Sequence, residues 1–213
     1  MALIMYLTKA PRYQNVVTDE YETIPREDIA LIERYFNWKR ARANDRTDCN
    51  TLKEWCGVPE DEMPHKYIVN FYRQFYTMKE MYVEYVGNSE MYSLFEQVAR
   101  VAKANQIFNW FVNNVMHENV NQNYYEVTKE QLEDLYVACN EVKKGFTLLG
   151  VNQDGENEYS VDEKIAKEFL PVMGNSEYGA LYAKQVIKFA GILSNILAET
   201  DFEKETIYFN AIW

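Results

Sequence analysis

A chain of 213 residues with 47% hydrophobic content is long enough to bury one sizeable core and too apolar to stay disordered. Its formal net charge of −11 argues against general binding to nucleic-acid phosphates or to anionic membrane surfaces, and no apolar run reaches the length of a membrane span. The 17 Tyr, 11 Phe and 4 Trp supply large rings that suit both a core with hydrogen-bonding ends and a binding surface.

Cys49, Cys56 and Cys139 show no metal-ligand spacing, and an odd count fits a reducing compartment. The opening MALIMYLTKAP lacks a basic stretch and turns polar after Leu7, so no signal peptide is expected and the chain reads as cytoplasmic.

In chain order, residues 2–8 predict a buried strand ended by Pro11, and residues 12–24 a loop or second short strand. Pro25, Glu27 and Asp28 open a helix to about Asn44, with Ile29, Ile32 and Phe36 inward. Thr51 and Glu54 form a capping-box pattern for a short helix, TLKEWC, stopped by Gly57 and Pro59. After Pro64 a stripe of Ile68, Phe71, Phe75, Met78, Tyr82 and Tyr85 predicts a helix to Val86.

Residues 87–116 are expected to form one long central helix, capped by Asn88 or Ser89. Its stripe is Leu94, Val98, Val101, Phe108, Val112 and Val115, with Asn105 in the gap. A polar amide inside an apolar stripe needs partners or costs a few kcal/mol. Lys103 and Trp110 fall on the opposite side beside Ile107, so the helix is expected to be covered on more than one face.

Tyr124–Val127 reads as a strand, followed by a capping box at Thr128 and Gln131 and a helix striped by Leu132, Leu135, Cys139, Val142 and Phe146. A loop, GVNQDGENEY, precedes a third box at Ser160 and Glu163, whose helix carries Ile165 and Phe169 and meets Pro171. A last helix from Glu177 to Glu199 points Tyr182, Val186, Phe189, Leu193 and Ile196 inward, and TIYFNAIW closes the chain as a strand. Gly-Asn-Ser-Glu occurs at 87–90 and again at 174–177. The simpler reading is one cap chemistry used at two helix corners, and the sharper one is an old duplication.

Catalytic signatures are absent: there is no phosphate-binding glycine loop, GxGxxG, nucleophile elbow or HExxH. His65 and His117 stand away from spaced carboxylates, so no metal site is expected. Counting a calcium loop from Asn152 puts Asn157 where glycine is required, and a solvated acidic turn fits better. Basic residues concentrate on the first helix, where Arg34, Lys39, Arg40, Arg42 and Arg46 surround Tyr35 and Trp38. That patch suits an anion, a nucleotide phosphate or an acidic partner, with a ring to stack on, or else a wet helix face near its C-terminal dipole.

The string Lys103-Ala104-Asn105-Gln106-Ile107-Phe108-Asn109-Trp110-Phe111-Val112 resembles a signature of a family of phage and prophage proteins. Further resemblance lies in Tyr125-Glu126-Val127, Leu170-Pro171, Gly174, Ser176-Glu177-Tyr178, Thr200-Asp201-Phe202-Glu203 and the aromatic strand ending in Trp213. The similarity covers roughly 92–213. Two departures matter: the family commonly has histidine at Phe108, and Asp-Asp-Cys at Asn121, Gln122 and Asn123. The resemblance implies phage origin and a shared fold, and marks Lys103, Asn105, Trp110, Ser176, Tyr178 and Trp213 as positions for a shared site.

The sequence therefore predicts a mainly α (α+β) fold, a multi-helix domain around a central buried helix with a small sheet formed by the terminal strands. It reads as a single domain, 1–213, with a possible division into 1–86 and 87–213. The expected role is a non-enzymatic phage accessory protein that binds a small anionic, nucleotide-like ligand or a host protein, in host takeover or counter-defence. Its ligand-binding residues are Lys103, Asn105, Trp110, Ser176, Tyr178, Trp38 and Arg42, with no cofactor or metal and with homo-oligomers possible. The alternatives are an enzyme on a nucleotide-like substrate using Lys103 and Asn105, and a virion-associated structural protein.

Overall fold

The computed structural model describes residues 3–14, 18, 20–25, 28, 31–32, 34–35, 38, 63, 82–86, 89–93, 96–117, 124–153, 155–174 and 176–212. It divides into two compact units, one of Met1–Thr8, Gln97–Thr200 and Ile207–Trp213, the other of Lys9–Glu96 and Asp201–Thr206.

The fold is α+β rather than mainly helical. Its principal sheet is antiparallel, in the order β6-β1-β10-β7, built from Glu96–Ala102 (β6), Ile4–Pro11 (β1), Glu205–Ile212 (β10) and Tyr125–Val127 (β7). The two terminal strands are thus neighbours, as their apolar sequences predict. Among the described residues three two-stranded pairings accompany the sheet: β2 (Tyr13–Gln14) with β3 (Tyr21–Glu22), β4 (Tyr82–Val86) with β5 (Ser89–Ser93), and β8 (Phe146–Val151) with β9 (Asn157–Val161).

The expected central helix over 87–116 is corrected to β5, β6 and a ten-residue helix α1, Asn105–Asn114. Val98 and Val101, three apart, fit a helix, but Ala99 and Val101 are the buried pair in β6, and two-residue alternation is a strand's. The predicted helix ending at Val86 likewise ends in a strand, because Val86 pairs with Ser89. The two residues between them are Gly-Asn, a hairpin sequence as well as a helix-cap sequence. With Ser89 in a strand, the first Gly-Asn-Ser-Glu opens no helix. The segments 51–56 and 64–81 lie outside the described residues.

In the first unit the core lies between β10 and the helices. Phe111 of α1 stacks on Phe209 of β10 with centroids 4.0 Å apart and planes 8° apart, and meets Phe189 edge-on at 6.4 Å. Phe189 belongs to α4, Ala180–Glu199. Helix α2, Lys129–Lys144, packs its predicted stripe of Leu132, Leu135, Cys139 and Val142 inward. Its capping box is complete: Gln131 N–H donates to Thr128 Oγ1 at 3.2 Å, and Thr128 N–H to Gln131 Oε1 at 2.9 Å. Phe146 has left that helix and opens β8. Helix α3, Glu163–Phe169, is capped by Asp162 rather than Ser160, since Asp162 Oδ1 accepts from the N–H groups of Lys164 and Ile165. The predicted acidic loop is a hairpin turn, in which Asn152 Oδ1 accepts from Glu156 N–H at 2.9 Å.

In the second unit, Lys9 reaches Glu96 at 3.0 Å and Glu205 at 3.4 Å, and Arg12 Nε donates to Thr206 Oγ1 at 2.9 Å. Asp28, Leu31, Ile32, Arg34, Tyr35 and Trp38 are helical, and Ile24, Ile32, Trp38 and Met63 are buried. Among the described residues, no helix is long and apolar enough to cross a membrane.

Candidate functional site

The site begins where β6 gives way to α1. Lys103 takes a left-handed conformation, φ 61°, which a side chain other than glycine adopts at a cost of roughly 1–2 kcal/mol. Three hydrogen bonds hold it there. Its N–H donates to Leu3 O at 2.9 Å, and its carbonyl accepts from Asn105 N–H at 3.2 Å and from Gln185 Nε2 at 3.0 Å. The N-cap of α1 is Ala104, which has no side-chain acceptor, and the first turn carries no acid. Helix α4 starts the same way: its N-cap is Gly179, without a side-chain cap bond or an acid in the first turn.

Both starts border one cleft of about 930 Å³, within the usual volume of a small-molecule site. Lys103, Asn105, Gln106, Ser176, Glu177 and Gln185 give it its polar lining. Asn105 Nδ2 donates to Ser176 Oγ at 2.8 Å, and among the described residues no donor reaches Asn105 Oδ1. Gln106 is 2% exposed, and its Nε2 donates to Gln185 Oε1 at 3.1 Å. Lys103 is exposed, and no described carboxylate pairs with it. The unpaired N–H groups of a helix start carry partial positive charge, so two such starts and an ammonium favour an anion between them.

The structure thus brings Lys103, Asn105 and Ser176 together. Asn105 is the first residue of α1 and half-buried, not a mid-helix residue in a closed stripe. Trp110 sits on α1 with its ring edge-on to Phe111 at 5.4 Å, outside the cleft lining. Tyr178 also lies outside the lining, but its hydroxyl accepts from Val172 N–H at 3.2 Å and so braces the loop that carries Ser176. Trp38 belongs to the second unit, where it is 7% exposed and lies 6.2 Å from Tyr35, while Arg34 is exposed. Arg42, Lys39, Arg40, Arg46, His65 and Trp213 lie outside the described residues.

Sequence reasoning missed Gln106, Glu177 and Gln185 as lining residues. No local signal marked them, because the bare starts at Ala104 and Gly179 lie inside or beyond the helix starts that the cap residues Asn88, Ser89 and Ser176 suggest.

Two groups near the core are unsuited to acid–base or nucleophilic work. Burial pushes the Cys139 thiol up to about 12, against a small opposing pull from Lys143. The Tyr182 hydroxyl is also pushed up, first by burial and then by Tyr178 and Cys139, and it donates to Leu170 O at 2.9 Å. Among the described residues no three His, Cys, Asp or Glu side chains gather as metal ligands. Comparison with protein-family models, curated proteins and solved structures found no match to this chain.

Proposed function

We propose that this protein is a non-enzymatic phage accessory protein, working in the host cytoplasm, that binds a small anionic ligand in the cleft at Asn105. The observation that carries the reading is the meeting of two uncapped helix starts and Lys103 on one cleft. The phage assignment rests on the Lys103–Val112 string and its companions.

The chemistry asked of the site is modest. Backbone N–H groups and the ammonium supply charge-assisted hydrogen bonds, stronger than neutral ones because one partner is ionised. Asn105 and Ser176 add side-chain groups that orient a ligand.

Native mass spectrometry of the full chain purified from cells tests the reading. A small-molecule adduct is expected on the wild type and is expected to be lost in Lys103→Gln and Asn105→Leu. An adduct that persists in both variants, or a wild type that carries none and takes up no added inorganic phosphate, contradicts it.

A further inference from the structure

The cleft lining holds two formal charges of opposite sign, Lys103 and Glu177, carried by separate segments of the chain. They do not form an ion pair with each other, and among the described residues neither has another ion-pair partner. Both are exposed. The rest of the lining is neutral: Leu3, Val172, Leu181 and the amides give it apolar walls with scattered hydrogen-bonding groups.

This arrangement discriminates between ligand classes. A simple anion gains from Lys103 and the helix starts but meets a like charge at Glu177, which counts against it. A molecule with an ammonium as well as an anionic group satisfies both ends, and the two pairings together fix its direction in the cleft. A nucleobase finds less here. The one ring in the lining, Tyr182, is 2% exposed and its hydroxyl is already committed to Leu170 O, so it offers no face for stacking.

We infer that the ligand of this cleft is a small zwitterion, its carboxylate or phosphate held at Lys103 and its ammonium at Glu177. The inference rests on the anion-binding reading above and narrows it. Glu177 then acts as the specificity residue. The anionic end alone leaves free carboxylic acids and phosphate monoesters indistinguishable, and the probes separate them.

The test is an amide-shift titration of the full-length protein with matched pairs: β-alanine against propionate, and phosphoethanolamine against ethyl phosphate. At least one zwitterion is expected to bind about tenfold more tightly than its partner lacking the ammonium, the usual scale for a charged hydrogen bond. Glu177→Gln, an exposed change checked for folding by circular dichroism, is expected to erase that difference while leaving affinity for the simple anion equal or higher. Lys103→Gln is expected to weaken both members of a pair. If the simple anions bind as tightly as the zwitterions, or Glu177→Gln changes neither, the zwitterion inference is overturned and the anion site stands. If none of the four shifts any amide of the cleft, both are overturned.

Discussion

The four described helices of the first unit begin in two ways. Helices α2 and α3 start from Thr128 and Asp162, whose side chains take up the free N–H groups, and each has an acid in its first turn, Glu130 and Glu163. Helices α1 and α4 start from Ala104 and Gly179, which offer nothing, and neither first turn has an acid. The two bare starts are the two that border the cleft. A capped start is finished by its own chain, whereas a bare one leaves N–H groups for water or a ligand. The difference separates helix starts that serve folding from starts that serve binding.

The contrast can be broken first along α1 itself, whose body and start are assigned different work. Phe111, fully buried between Phe209 and Phe189, belongs to the body, and Phe111→Ala is expected to cost about 3–5 kcal/mol in urea denaturation. Asn105→Leu at the start is expected to stay within about 1 kcal/mol of wild type while losing phosphate binding. A large stability loss at Asn105 would merge the two roles.

At α2 the capped start should matter to folding alone. Thr128→Ala removes the acceptor for Gln131 N–H and is expected to cost about 1 kcal/mol, with phosphate affinity unchanged by calorimetry. Reduced affinity there would mean that the cap bears on the cleft.

Lys103 sharpens the contrast, because its left-handed backbone opposes stability while its ammonium serves the site. Lys103→Gly is expected to raise stability by about 0.5–1 kcal/mol and to weaken phosphate binding. Loss on both counts would show that the side chain also packs. The smallest effect is expected at Gly179, where an added Cβ meets nothing within 4 Å. Gly179→Asp supplies the missing cap to α4, so a gain of roughly a few tenths of a kcal/mol should accompany weaker phosphate binding. Stronger binding would contradict the assignment of that start to an anion.

Legibility in the sequence divides along similar lines. Helix α2 is readable because its cap, stripe and end all lie within its own residues, and β10 because its run is rich in strand-forming Thr, Ile, Tyr and Phe. The stretch 89–102 is not, because Val98 and Val101 satisfy a helical spacing and only the distant partner β1 makes a strand of them. Ser160 and Asp162 compete as caps, and the pairing of Ser160 with Thr147 in the β8–β9 hairpin leaves the task to Asp162. The place of the site is half legible. Lys103, Asn105 and Ser176 stand out in the sequence, but Glu177, Gln106 and Gln185 join them only through folding of segments some 70 to 80 positions apart, as in the Asn105–Ser176 and Gln106–Gln185 bonds. Trp38, expected to offer its ring to a ligand, is mostly buried, so replacing it costs packing as well as any binding.

The most direct measurement is a two-dimensional amide spectrum of the full-length protein titrated with inorganic phosphate. If the bare starts hold an anion, the shifts concentrate on the amides of Gln106, Ala180 and Leu181, since Asn105 N–H is already taken by Lys103 O, and spare Lys129, Glu130 and Gln131 at the capped start of α2. Shifts of equal size at both kinds of start, or none at Gln106 and Ala180 under saturating phosphate, would contradict it.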